Sequence, residues 1–485
     1  MLVTFICASA VFISDKAGIF RQNGYSYYDL AALDDYRVIQ QLWVWDGFYD
    51  FIKSNPLDII LFGNSHSNMN LNAINLSLSS GTYCYNLGFG NTTLTDVYFT
   101  MKEAFEIQRP KLAVVETFCI YCVDNYSSHN LSNTSILAQL FSFEQRRNFR
   151  QKLLSLPILF SSDNYLAALS NTIRNHSFIF QNSEQIQKNI DKKNEYKKYS
   201  ELRNEYFFGQ LQEPFSVLNQ EIIDRRYGSD FNKIDASSII ISDEAKEYIE
   251  KIAKLCKDNK IPVIFVTTPC YPKIVDNWEI FHSKLNAELN KYDIPYLDLQ
   301  ANCDTNLFTP QAFQNVYTIG IWQHLSPYGS NVATNFLSEY LHNNYPNIIN
   351  RNDEINFQNI FYNFYEYFYY HSVSDNDLIN KGFYKNKNGG NYLVKEVDFI
   401  VGQGSDFNFT NRTDGNRIIL KIAGNKDVTT KKINVLVAAT YQNQKINTWI
   451  EMEYLPQYFG LNHYVFQCQL NKEVQIDDVL DVQIN

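Results

Sequence analysis

The chain is short of positive charge. Its 485 residues carry 42 Lys and Arg against 52 Asp and Glu, a formal net charge of -10, with a pI near 5.4. No Lys- or Arg-rich stretch overturns this balance. Recognition of nucleic acid needs basic patches that neutralise phosphate, so the composition argues against that class of partner. The chain also lacks an apolar run of bilayer-spanning length where one would be sought first. Met1 to Ile13 (MLVTFICASAVFI) is apolar but too short to cross, and no basic residues open it as they open a secretory signal. This segment reads as a trimmed anchor, as a partial signal ending near Ala8-Ser9-Ala10, or as a first buried strand. Export or membrane association through this N-terminus is the expectation. The eight cysteines (7, 84, 119, 122, 256, 270, 303 and 468) repeat no spacing. Cys119 and Cys122 form a CxxC at the end of a predicted strand, with no second pair and no helix opening after it, so neither zinc nor a redox dithiol is supported. Buried, incidental thiols are expected, with no metal and no cofactor.

Aromatic residues are plentiful: 15% of the chain, with 34 Tyr and 35 Phe. Most must be core, but rings with hydroxyls also suit flat, hydroxyl-bearing ligands such as sugars. The length implies two or three domains.

The chain is organised around one stretch. Leu57 to Phe62 is an apolar run of strand length that stops at Gly63-Asn64-Ser65-His66-Ser67-Asn68, and apolar residues at helical spacing (Leu71, Ile74) follow. The pattern is strand, sharp turn, helix. Ahead of it, an amphipathic stretch around Val38 to Ile52 predicts a helix packed on that strand. Thr82 to Leu87 is a second strand ending in Gly88-Phe89-Gly90-Asn91, a helix runs to Ile107, and Lys111 to Thr117 is a third strand. Residues 124–240 are polar and helical in character and form a large insertion. Ser242-Asp243 starts another helix, Pro262 to Thr267 is strand four, a helix spans about 277–292, and Pro295 to Leu299 is strand five. Strands alternating with helices predict a five-stranded parallel sheet in an α/β domain over 14–350. An aromatic connector covers 351–381. From 382 to 485 short β-branched runs alternate with turns: 391–401, 417–423, 433–441, 448–454, 464–470 and 479–484. These predict an antiparallel β-sandwich, either glycan-binding or a packing module.

Ser65 lies where the carboxyl end of a strand meets a helix N-terminus, the crevice in which open α/β sheets hold their ligands. It is the candidate nucleophile, with helix capping as the plain alternative. His324 lies on a loop just ahead of Ser326-Pro327, a strong helix start at the same end of the sheet. A positive helix end disfavours imidazolium and suits a neutral general base. Acyl transfer through serine also needs oxyanion donors, for which the backbone N–H groups of Ser65 and Gly88 are candidates. His66 is given no catalytic step.

Gly63-Asn64-Ser65-His66, then Asn86-Leu87-Gly88-Phe89-Gly90, then His324-Leu325-Ser326-Pro327-Tyr328-Gly329 resemble the SGNH/GDSL hydrolase superfamily, nearest its cell-envelope branch with a Gly-x-Ser-His nucleophile block. The resemblance covers roughly 55–120 and 240–345. It implies a three-layer flavodoxin-like fold, an outward-facing place in the cell envelope, and a serine esterase or O-acyltransferase working on acyl groups, first of all acetyl, of an envelope or extracellular carbohydrate. It also implies a side-chain oxyanion donor, for which Asn91 is the candidate. The Asp that the family carries three residues before its histidine is Ile321 here. Glu116, at the end of strand three, and Asp298, in strand five, are the candidate replacements. Without one, the alternative is an inactive relative that binds glycan or assists assembly.

Overall fold

The computed structural model describes residues 44–54, 56–90, 92–121, 146–169, 233–301, 307–314, 324–349, 407–414, 417–424, 432–454, 463–470 and 474–484, with isolated residues and two-residue strands between them. The expected N-terminal segment 1–13, the connector 351–381 and most of the insertion lie outside this set.

Five strands form a parallel sheet: β1 Ile59–Phe62, β2 Cys84–Asn86, β3 Leu112–Glu116, β4 Val263–Thr267 and β5 Tyr296–Asp298. Their order is β2-β1-β3-β4-β5, in register at Leu61↔Asn86, Leu61↔Val114, Glu116↔Val266 and Thr267↔Asp298. The inner strands are continuous apolar runs because helices cover both faces and every residue is buried. The connecting helices are α2 Ser65–Asn70, α3 Ala73–Ser80, α4 Leu94–Ile107, α5 Phe118–Tyr121, α6 Phe149–Leu159, α7 Asp243–Asn259, α8 Trp278–Asn290 and α9 Pro327–Asn344, preceded by α1 Val44–Ser54. Their starts follow local chemistry. Thr93 and Asp96 close a capping box on α4, Ser242 accepts from Ala245 N–H on α7, and Ser326 accepts from Gly329 N–H with Pro327 at the first position of α9.

Helix α1 packs one place further out than the sequence suggests. Phe48 and Phe51 meet Tyr85 of the edge strand β2, and Trp45 stacks on Phe89. Cys119 does not end a strand but lies inside the one-turn α5, buried and free. In the described part of the insertion, α6 contributes Leu156 and Leu159, which join Phe143 and Phe160 in a satellite core against Phe99 of α4. Among the described residues no helix is long and apolar enough to cross a membrane.

The C-terminal strands are β6 Phe407–Asp414, β7 Arg417–Gly424, β8 Ile433–Tyr441, β9 Gln444–Tyr454, β10 His463–Gln469 and β11 Val474–Ile484, all antiparallel, in the order β6-β7-β10-β9-β8-β11 with Lys395–Glu396 beside β6. In β8 alternate residues Ile433, Val435, Val437 and Ala439 are buried, the period of a half-buried strand. The hairpin to β9 turns on Gln442 and Asn443, both at positive φ (48° and 65°), as a two-residue turn with matching twist requires. β6 was not expected from the sequence. Only Lys395 and Glu396 of the expected run 391–401 are described.

Candidate active site

The turn after β1 depends on Gly63, whose φ of +147° and whose surroundings exclude a side chain: a Cβ there would lie 2.8 Å from Ser67 Cβ and 3.0 Å from Glu116 Cβ. Asn64 then caps α2, its Oδ1 accepting from His66 N–H at 3.0 Å. The capping duty therefore falls to Asn64, and Ser65 is left as the first helical residue. Its Oγ lies 2.9 Å from His324 Nε2, across a sequence separation of 259 residues. Both side chains are half-buried.

Several bonds hold His324 there. Its carbonyl accepts from Gln314 N–H at 3.0 Å, Gln314 Nε2 donates to Leu325 O at 2.8 Å, and Ser326 N–H donates to Ala312 O at 2.8 Å. Leu325 N–H donates to Asn70 Oδ1 at 2.8 Å. Behind the loop, α9 is fastened to α3 and its cap Asn72 by amides and a hydroxyl. Asn72 Nδ2 donates to Asn331 Oδ1 at 2.7 Å, Asn72 N–H to Thr334 Oγ1 at 2.8 Å, and Asn75 Nδ2 to Asn335 Oδ1 at 2.9 Å. Buried amides must find partners, so these pairs fix where α9 begins and hence where the imidazole stands.

Among the described residues, both candidate carboxylates make their hydrogen bonds to other groups. Glu116 is buried at the end of β3, where its Oε2 accepts from Phe118 N–H at 2.9 Å and its Oε1 from Thr268 Oγ1 at 3.1 Å. Burial pushes its carboxyl up to about 8, against the pull of these donors. Asp298 serves a different histidine. Its carboxylate accepts from Trp278 Nε1 and Tyr296 OH at 2.9 Å and meets His282 Nδ1 at 2.7 Å.

The expected oxyanion set also changes. Gly88 is required by close packing, since a Cβ would lie 2.8 Å from both Asn68 N and Ser67 Cβ. Its N–H, however, donates to Asn86 Oδ1 at 2.9 Å and is already engaged. The N–H of Ser65, in the first turn of α2, has no intrahelical acceptor by the geometry of a helix start. Asn91 and Ile321 lie outside the described residues.

Sequence reasoning missed two neighbours. His66 is buried and stacked face to face on Phe118 at 3.6 Å, with its ring 4.9 Å from that of His324. Asn70 is buried and bonded to three partners. The signal was five Asn residues at 64, 68, 70, 72 and 75, all buried, within or capping two short consecutive helices. Among the described residues no His, Cys, Asp and Glu group is arranged to hold a metal ion. Chemically, an alcohol beside an imidazole at a helix N-terminus can be deprotonated and attack an electrophilic carbon. No family model matches the chain, and no curated protein matches it.

Proposed function

We propose that the chain is a serine esterase or O-acyltransferase of the SGNH kind, acting on acyl groups, acetyl first, of a cell-envelope or extracellular carbohydrate. The observation that carries this reading is the 2.9 Å approach of Ser65 Oγ to His324 Nε2. In the cycle, His324 takes the Ser65 proton as Oγ attacks the acyl carbon, and Ser65 N–H steadies the oxyanion. His324 then returns the proton to the leaving sugar oxygen. Water or a second sugar hydroxyl, deprotonated by the same imidazole, releases the acyl group. Glu116 and Asp298 stay out of this cycle.

Two finer points of fold belong with this reading. The strand order 2-1-3-4-5 is that of flavodoxin-like sheets. Ile418 and Leu420 of β7 share a core with Val435 and Val437 of β8, three places away in the strand order. Such sharing suits a sheet folded over itself as a sandwich. We place the active face outside the cell, with acylated carbohydrate as its partner.

The test is hydrolysis of 4-nitrophenyl acetate by the wild type and by Ser65→Ala, with fluorophosphonate labelling of both. Turnover and labelling lost only in the variant support the reading, and equal rates in both would remove Ser65 from the chemistry. The engaged Gly88 N–H favours a second reading, an inactive relative that binds glycan or assists assembly. That protein would bind acetylated polysaccharide while the probe leaves Ser65 unlabelled.

A further inference from the structure

Behind the Ser65–His324 pair runs a chain of hydrogen bonds whose directions can be assigned. The backbone N–H of Leu325 can only donate, so the Asn70 atom 2.8 Å away is its carbonyl oxygen. The Asn70 amide nitrogen then faces Thr268 Oγ1 at 2.9 Å and His66 Nδ1 at 3.3 Å. An amide NH2 only donates, so His66 Nδ1 is the acceptor and the neutral ring carries its proton on Nε2. Thr268 Oγ1, having accepted from Asn70, donates its own hydrogen to Glu116 Oε1 at 3.1 Å. The order is Leu325 to Asn70 to Thr268 to Glu116, each group donating to the next. Asn70 and Glu116 have no exposed surface, and Thr268 is 1% exposed.

We infer that Asn70 is the positioning residue of the Ser65–His324 pair, anchored through Thr268 to the buried carboxyl group of Glu116. The relay grips the peptide next to His324 from behind its loop. The inference rests on the reading of Ser65 and His324 as the reacting pair. One amide also holds the adjacent His66 flat on Phe118 in a single tautomer, so both imidazoles of the site depend on Asn70.

The experiment is steady-state hydrolysis of 4-nitrophenyl acetate by the full chain and its variants, with Tm measured on each. Asn70→Ala is expected to lower kcat roughly 10- to 100-fold, the scale set by misplacing a reacting group by about 1 Å, with KM within about twofold of the wild type. Thr268→Val is expected to lower kcat in the same direction, and Thr268→Ser, which keeps the hydroxyl, to restore most of it. A purely structural role would lower the Tm of the two Thr268 variants without this split in kcat. Wild-type kcat in Asn70→Ala, or equal kcat in Thr268→Val and Thr268→Ser, overturns the inference even where Ser65→Ala is inactive. Equal rates in the wild type and Ser65→Ala overturn the premise itself, a result separate from either of those.

Discussion

Replacing Gly329 with Ala tests how the histidine is delivered to the serine. Gly329 sits in the first turn of α9, and a Cβ built there would lie 2.0 Å from Ala312 O, 2.9 Å from Ala312 C and 3.1 Å from Ala312 Cα. All three atoms are backbone, so no side chain can swing away. To reach the 3.4 Å at which ordinary contact begins, the two segments must part by 3.4 minus 2.0, or 1.4 Å, along that line. The same Ala312 oxygen accepts from Ser326 N–H at 2.8 Å, and Ser326 is two residues from His324. Strain of this kind in a packed interior costs about 1–3 kcal/mol. A shift of about 1 Å between reacting groups costs on the order of 10²-fold in rate. Gly329→Ala is therefore expected to lower Tm by several degrees and to cut 4-nitrophenyl acetate turnover and fluorophosphonate labelling together. Wild-type Tm with wild-type labelling would refute the argument, because it would mean that the approach of α9 to the 308–313 loop does not hold His324 in place.

Two other substitutions read the buried carboxylates. In the folded chain Glu116 keeps its proton up to about 8, well above the ordinary value of 4.5. Its contribution to stability is therefore full below pH 4.5 and is lost as pH rises through the interval to 8, by a few kcal/mol at most. Thermal melts of the wild type and Glu116→Gln between pH 5 and 8 should converge or cross as pH rises, and a constant gap would contradict the assignment. His282→Ala should lower Tm modestly, because it removes one of three groups at Asp298 Oδ2 while Trp278 Nε1 and Tyr296 OH remain, and ester turnover should persist because the pair has no step in the proposed cycle. Loss of turnover at wild-type Tm would return Asp298 to the mechanism.

Much of the α/β domain was legible because its signals are local. The apolar runs ending at Gly63, Glu116 and Thr267 are strands because both faces are covered, and Ser242 and Ser326 start helices by capping them. Ser65 and His324 were legible as residues at strand and helix ends, yet their proximity depends on long-range amide pairs such as Asn72 with Asn331 that no local pattern encodes. The bonds of Glu116 to Thr268 and of Asp298 to His282 were hidden for the same reason. A position at a strand end says which rim a carboxylate occupies, not which neighbour it faces, and Thr268 and His282 were nearer. Gly88 is needed as a glycine because it packs against Ser67 and Asn68, and its N–H donates to Asn86 Oδ1, a partner no local pattern announces. β6 escaped notice since Asn408, Asn411 and Arg412 interrupt any β-branched run, and its place comes from pairing with β7.

On the proposed reading, the ties between α9 and the start of α3 also set when Ser65 meets its base. Its base arrives from 259 positions later in the chain, and the ties that seat it, Asn331 and Thr334 among them, come later still. During synthesis Ser65 therefore emerges as an ordinary alcohol and stays one until nearly the whole α/β unit has left the ribosome. On that reading, a product that stops short of His324 would carry the serine without its partner and leave any ester it met intact.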